Sequence, residues 1–138
     1  MGEHRFRYSL VPFTGTFQSA GIVQKGYEFN KQLNVVPFSG FKEDSLIQNS
    51  FFSVSCKSVI IDTVKKSEDG DFIILRVYES FGGNSNFDLN VSFPLVSAFL
   101  CNVLEEQDQP LKFHTQNSVS VVPLHITPFK FLTIKLQF

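Results

Sequence analysis

Phe87, Leu89, Val91 and Phe93 alternate with Asp88, Asn90 and Ser92. This period-two pattern predicts a strand with one face on a core and the other toward water. A second alternation opens the chain, with Phe6, Tyr8 and Leu10 on one face of Arg5–Leu10 and Arg5, Arg7 and Ser9 on the other. The segment from Pro12 to Gly15 breaks it. The spacing then turns helical: Phe17, Ala20, Val23 and Tyr27 fall near one face and Thr16 is placed to cap the first turn. One short helix is predicted near residues 16–29, weakened by about 1 kcal/mol at each of Gly21 and Gly26. Beyond it stand a short apolar run, Leu33–Pro37, and a polar stretch from Ser39 to Ser50 that reads as an exposed loop.

From Phe51 onward strands and turns alternate. Strands are expected at 51–55 and 58–64, with a hairpin loop over 65–71 whose Asp69-Gly70 supplies the turn chemistry. Phe72–Tyr78 is apolar on both faces, as a central strand is. Further strands are expected at 87–93, 96–104, 111–115 and 119–122, with an acidic turn over 105–110. Near the end, Phe129 and Phe131 keep one phase while Leu132, Ile134, Leu136 and Phe138 keep the other, which predicts a bulge or bend. Seven or eight strands at this spacing make the chain mainly β, an antiparallel β-sandwich with one short helix near residues 16–29. A length of 138 residues fits one domain, 1–138, with its own core.

Composition narrows the function classes. Seventeen Phe and no Trp describe a chain that uses aromatic rings as core rather than as a sugar-stacking platform. A net charge of −1 gives no basic field for nucleic acid or an anionic membrane. No run of about 18 apolar residues is present, so no helical membrane span is expected. Cys56 and Cys101 allow one disulfide, but two free thiols are the simpler reading. Asn90-Val91-Ser92 is a formal glycosylation sequon inside a predicted strand, which makes a chance match the better reading.

Candidate chemistry is sparse. His4, His114 and His125 stand apart, without metal-ligand spacing, and Asp69 and Asp71 lack the further ligands of a calcium loop. Neither a nucleophile elbow nor a phosphate-binding glycine loop occurs. Most acids fall in turns, where Glu68, Asp69, Asp71, Glu105, Glu106 and Asp108 read as solvated tips. Arg76 and Glu79 differ, because they lie on or at the end of an otherwise apolar strand and point to opposite faces. A buried charge needs a partner, so both are candidates for a structural ion pair or for lining a cleft.

Three segments resemble glycoside hydrolase family 38, the class II α-mannosidases. The stretch His4 to Phe17 resembles the family's H-x-F-x-Y-x-L-x-P-H-x-G-x-[WF] segment, with Ala20, Tyr27 and Asn30 continuing the match. Leu75-Arg76-Val77-Tyr78-Glu79 resembles its L-R-L-Y-E strand, and Thr127 to Leu136 its terminal strand. Phe13 stands where the family usually has His, and Lys130 where it commonly has Glu. The flavour is nearest the cytosolic, neutral α-mannosidase branch.

The resemblance implies a C-terminal β-sandwich, a piece of a galactose mutarotase-like super-sandwich, with cytoplasmic location. Its partners would be the upstream domains of the same mannosidase. The parent would be a retaining enzyme that removes terminal α-mannose from oligosaccharides, with its catalytic Asp and a divalent metal such as zinc in an N-terminal α/β domain. The resemblance assigns no catalytic, metal or cofactor residue to this chain, which alone is not expected to be an enzyme. The competing readings are a free-standing carbohydrate-binding sandwich and a protein-interaction module that uses an open sheet edge.

Overall fold

The computed structural model describes residues 2–31, 33–37, 50–68 and 70–138, apart from the side chains of Gln107 and Asp108. The loop expected over Ser39–Ser50 falls outside these residues except for Ser50, and Asp69 of the hairpin falls outside them too. The chain divides into two compact units, Met1–Lys42 and Glu43–Phe138.

In the first unit the helix begins later than its apolar spacing predicts. Helix α1 runs Ile22–Asn30, because Gly21 takes a left-handed conformation (φ 65°) that ends the preceding turns. Residues 17–21 form those turns, closed by Ala20 N to Thr16 O at 3.1 Å and Ile22 N to Phe17 O at 3.1 Å. Thr16 does cap, but it caps this turn: Ser19 N donates to Thr16 Oγ1 at 3.2 Å. The strand expected at Arg5–Leu10 is not formed, since period-two side chains make a strand only where a neighbouring backbone completes the ladder. Leu33, Val35 and Val36 are likewise exposed and outside any regular element.

The second unit is a two-sheet sandwich of nine strands among the described residues: β1 Phe52–Val54, β2 Val59–Lys66, β3 Phe72–Glu79, β4 Ser85–Val91, β5 Ser97–Cys101, β6 Gln107–Pro110, β7 His114–Gln116, β8 Val119–Ile126 and β9 Phe131–Gln137. One sheet has the order β1-β4-β8-β7 and the other β2-β3-β9-β5-β6. All pairings are antiparallel. Leu75, Val77, Ile134 and Leu136 from one sheet meet Phe87, Leu89, Val91, Val122, Leu124 and Ile126 from the other in a single core. The alternation in β4 supplies three of these inward side chains, while Asp88 and Asn90 stay half-buried on the outer face. Asn90, the sequon residue, pairs with Ser53 of β1 in mid-ladder.

Three details differ from the pattern reading. Strand β6 occupies residues expected in the acidic turn. Strand β8 continues through Pro123 to Ile126. The amide and carbonyl of Asp88, opposite Pro123, both engage Ser55 of the other neighbour. That position is therefore a non-hydrogen-bonded pair, and the missing proline N–H interrupts no ladder bond there. The phase slip near Phe129 is a turn and not a bulge. Phe129 has φ 55°, and β9 then pairs with β3 without a shift from Phe131↔Tyr78 to Gln137↔Phe72. Phe138 closes the chain edge-on to Phe93 at 5.5 Å. Neither cysteine is in a disulfide. No helix among the described residues is long and apolar enough to cross a membrane.

Candidate functional site

Two buried acids organise the polar chemistry of the sandwich. Glu79 ends β3 on its inward face, at 1% exposure. Its carboxylate meets the two loops that flank β3 and β9. Phe81 N donates to Oε1 at 2.8 Å, Gly82 N to Oε2 at 2.8 Å and Phe129 N to Oε2 at 3.2 Å. Its own N–H donates to Lys130 O at 3.0 Å. Burial pushes the Glu79 carboxyl up, but the amides of Phe81, Phe129, Gly82 and Gly83 outweigh it and hold the group below its ordinary value. The charge is thus balanced by oriented backbone dipoles. Ser58 and Ser80 extend this polar end, with Ser80 N and Oγ both donating to Ser58 O at 2.8 Å. Ser58 Oγ lies 2.8 Å from Ser85 Oγ and 3.0 Å from Cys56 Sγ.

The loop at Gly82 depends on glycine. Its φ is 82°, and an added Cβ would lie 2.8 Å from the Phe129 ring. Phe129 is 75% exposed and its ring can swing, so backbone strain is the main cost. Gly82→Ala is expected to lower stability by about 1–2 kcal/mol. A denaturant titration should show a lower midpoint at unchanged slope, and an unchanged midpoint refutes the strain argument.

The second acid is Glu105, which the residue pattern placed at a solvated tip. It is 9% exposed and has φ 69°. The loop after β5 turns it back over the outer face of the sheet, where Lys65 and Arg76 meet it. Lys65 Nζ lies 2.6 Å and Arg76 Nη2 3.2 Å from Oε1. Lys135 Nζ donates to Glu105 O at 3.4 Å and Arg76 Nη2 to Val103 O at 3.1 Å. Asn102 Oδ1 holds the loop by accepting from Leu104 N and Glu106 N. The hydrogen bond from Lys65 is the main cause that holds the Glu105 carboxyl below its ordinary value, against its burial. The same bond raises Lys65. Arg76 Nε is buried without a hydrogen-bond partner.

Arg76 and Glu79 are therefore not brought together. Arg76 meets Glu105 on the outer face, and Glu79 meets amides at the end of the core. Pattern reading missed Glu105 and Lys65. A usable signal was the register of the hairpin: Thr63↔Arg76 and Lys65↔Ile74 put two cations on one outer face, which calls for an acid from elsewhere. His125 Nδ1 lies 2.9 Å from Asn86 Oδ1 at the surface. Among the described residues no group of three or more His, Cys, Asp and Glu side chains could hold a metal ion.

The profile of the "Glycosyl hydrolases family 38 C-terminal beta sandwich domain" matches residues 58–134, which carry both acids and the side chains that meet the Glu105 carboxylate, Lys65 and Arg76. The chain belongs to this family. It is 37% identical to Alpha-mannosidase G of Dictyostelium discoideum, over 96% of this chain and 13% of that protein. Alpha-mannosidase 2C1 of Mus musculus is 37% identical over 78% of this chain and 10% of its own length. Its Homo sapiens counterpart is 33% identical over 98% of this chain and 13% of its own length. The chain thus spans roughly an eighth of these relatives. In this chain the matched region holds Glu79 and Glu105, the two internal pins of its sandwich.

Proposed function

We propose that residues 1–138 act as one non-catalytic, structural C-terminal region of an α-mannosidase that releases terminal α-mannose from oligosaccharides. The observation that carries this reading is how the two buried acids are engaged. Glycoside hydrolysis needs two carboxylates about 5–10 Å apart across the substrate, one of them able to hold a proton. Glu79 is committed to backbone amides and Glu105 to Lys65 and Arg76, and both are held below the ordinary carboxylate value. That direction is the wrong one for a general acid.

The names of the relatives support a parent that is a mannosidase, with upstream domains of the same polypeptide as partners and a mannose-containing oligosaccharide as substrate. A retaining mechanism and a divalent metal such as zinc belong, on this reading, to those upstream domains. The described residues of this chain do not fit a metal. On this reading the location is cytoplasmic, as the resemblance to the cytosolic α-mannosidase branch implies. The purified chain is expected to show no hydrolysis of aryl α-mannosides above a buffer blank. Turnover that disappears when a carboxylate of this chain is replaced would overturn the proposal.

A further inference from the structure

Residues 5–10 have the side-chain pattern of a strand, and no ladder pairs them among the described residues. Phe6, Tyr8 and Leu10 are 84%, 80% and 87% exposed. The opposite face is the engaged one. Arg7 Nη2 donates to Phe29 O at 3.3 Å, and the Arg7 guanidinium lies 5.2 Å from the centroid of the Phe29 ring. Arg5 Nε donates to Glu3 Oε1 at 2.7 Å. Arg5 and Arg7 of the polar row are thus partnered while the apolar row stands in water, the reverse of what apolar burial drives. A helix would not correct this, because a period of two places the three side chains together only in an extended segment. An extended backbone with one apolar face fits the edge of a sheet that lies over a core.

The sandwich profile starts at Ser58 and excludes the segment. The alignment with the human relative takes in 98% of this chain, which leaves too few residues over to omit a six-residue segment, and it covers only 13% of that relative. Residues 5–10 therefore correspond to an internal stretch of a much longer polypeptide. We propose that they form the edge strand of a sheet carried by the preceding part of the α-mannosidase, added by main-chain hydrogen bonds, with Phe6, Tyr8 and Leu10 turned into that part's core. This rests on the reading of the chain as one region of a longer α-mannosidase.

Hydrogen exchange on the full-length polypeptide and on this chain tests it. Amides of residues 5–10 should exchange about 100-fold more slowly in the full-length protein than in this chain, at alternate residues as befits an edge strand. Tyr8→Asp should abolish that protection and lower the melting temperature of the full-length protein, while leaving that of this chain unchanged. Fast exchange in the full-length protein overturns the inference. So does protection already present in this chain, whether within a monomer or in a dimer whose formation sedimentation shows to depend on concentration. The reading beneath it fails separately, if the full-length protein does not hydrolyse α-mannosides.

Discussion

Replacing Glu79 by alanine is expected to lower the stability of the sandwich by about 3–5 kcal/mol. The side chain is 1% exposed, and its loss leaves the amides of Phe81, Gly82 and Phe129 without an acceptor. Each orphaned amide costs about 1–3 kcal/mol when buried, and less where water can enter an exposed loop. The vacated volume adds a cavity cost. Thermal unfolding should fall by roughly 15–30 °C for a unit of this size. Glu79→Gln should cost about half as much, since one oxygen still accepts while the new NH2 group faces N–H donors. The effect also depends on pH. The folded carboxyl lies below its ordinary value of 4.5, so its contribution is complete above that value and is lost as pH falls through the folded value. The gap between wild type and Glu79→Gln should narrow over the same window, because a protonated Glu79 resembles glutamine. A loss below about 1 kcal/mol for Glu79→Ala, or a gap that stays constant into acid, would sink the assignment.

The sandwich was legible where one side chain pattern answers to one backbone state. The Phe87–Val91 alternation and the two-faced apolar run of β3 became buried strands in adjoining sheets. Legibility failed where conformation depends on something distant or on a single dihedral. The onset of α1 turns on Gly21, and the phase slip before β9 turns on Phe129 at φ 55°. The six residues from Arg5 to Leu10 carry a strand pattern that no neighbouring backbone completes. Glu105 is the sharpest case. Nothing local marks it apart from Glu106, yet it is 29 residues from Arg76 along the chain and in contact with it in the fold. Both pins share one logic: the inward face of β3 places Glu79 and its outer face places Arg76, so one strand serves the core end and the sheet surface at once.

Removing the Glu105 side chain should cost about 2–3 kcal/mol. A fully buried pair loses about 3–5 kcal/mol when one partner is removed, and an exposed pair about 0–1. The site lies between these limits, with side-chain exposures of 9% for Glu105, 25% for Arg76 and 33% for Lys65. Much of the loss in Glu105→Ala comes from leaving the guanidinium uncompensated beside the sheet. The double variant Glu105→Ala, Arg76→Met should therefore be less destabilised than the sum of the two single variants. Glu105→Gly should be milder than Glu105→Ala by about 1 kcal/mol, because φ 69° strains any residue with a Cβ. The charges set a pH window for the clamp. Glu105 is lowered, so its part fades as pH falls below the ordinary carboxylate value of 4.5 and through the folded one. Lys65 is raised, so its part is complete below its ordinary value of 10.5 and fades as pH rises through the higher folded value. Between those limits the ionic contacts hold the Asn102–Glu106 loop over the sheet. Denaturant midpoints for the four variants decide the matter: single losses under about 0.5 kcal/mol that simply add would mean that Glu105 rests on the surface and does not hold the loop.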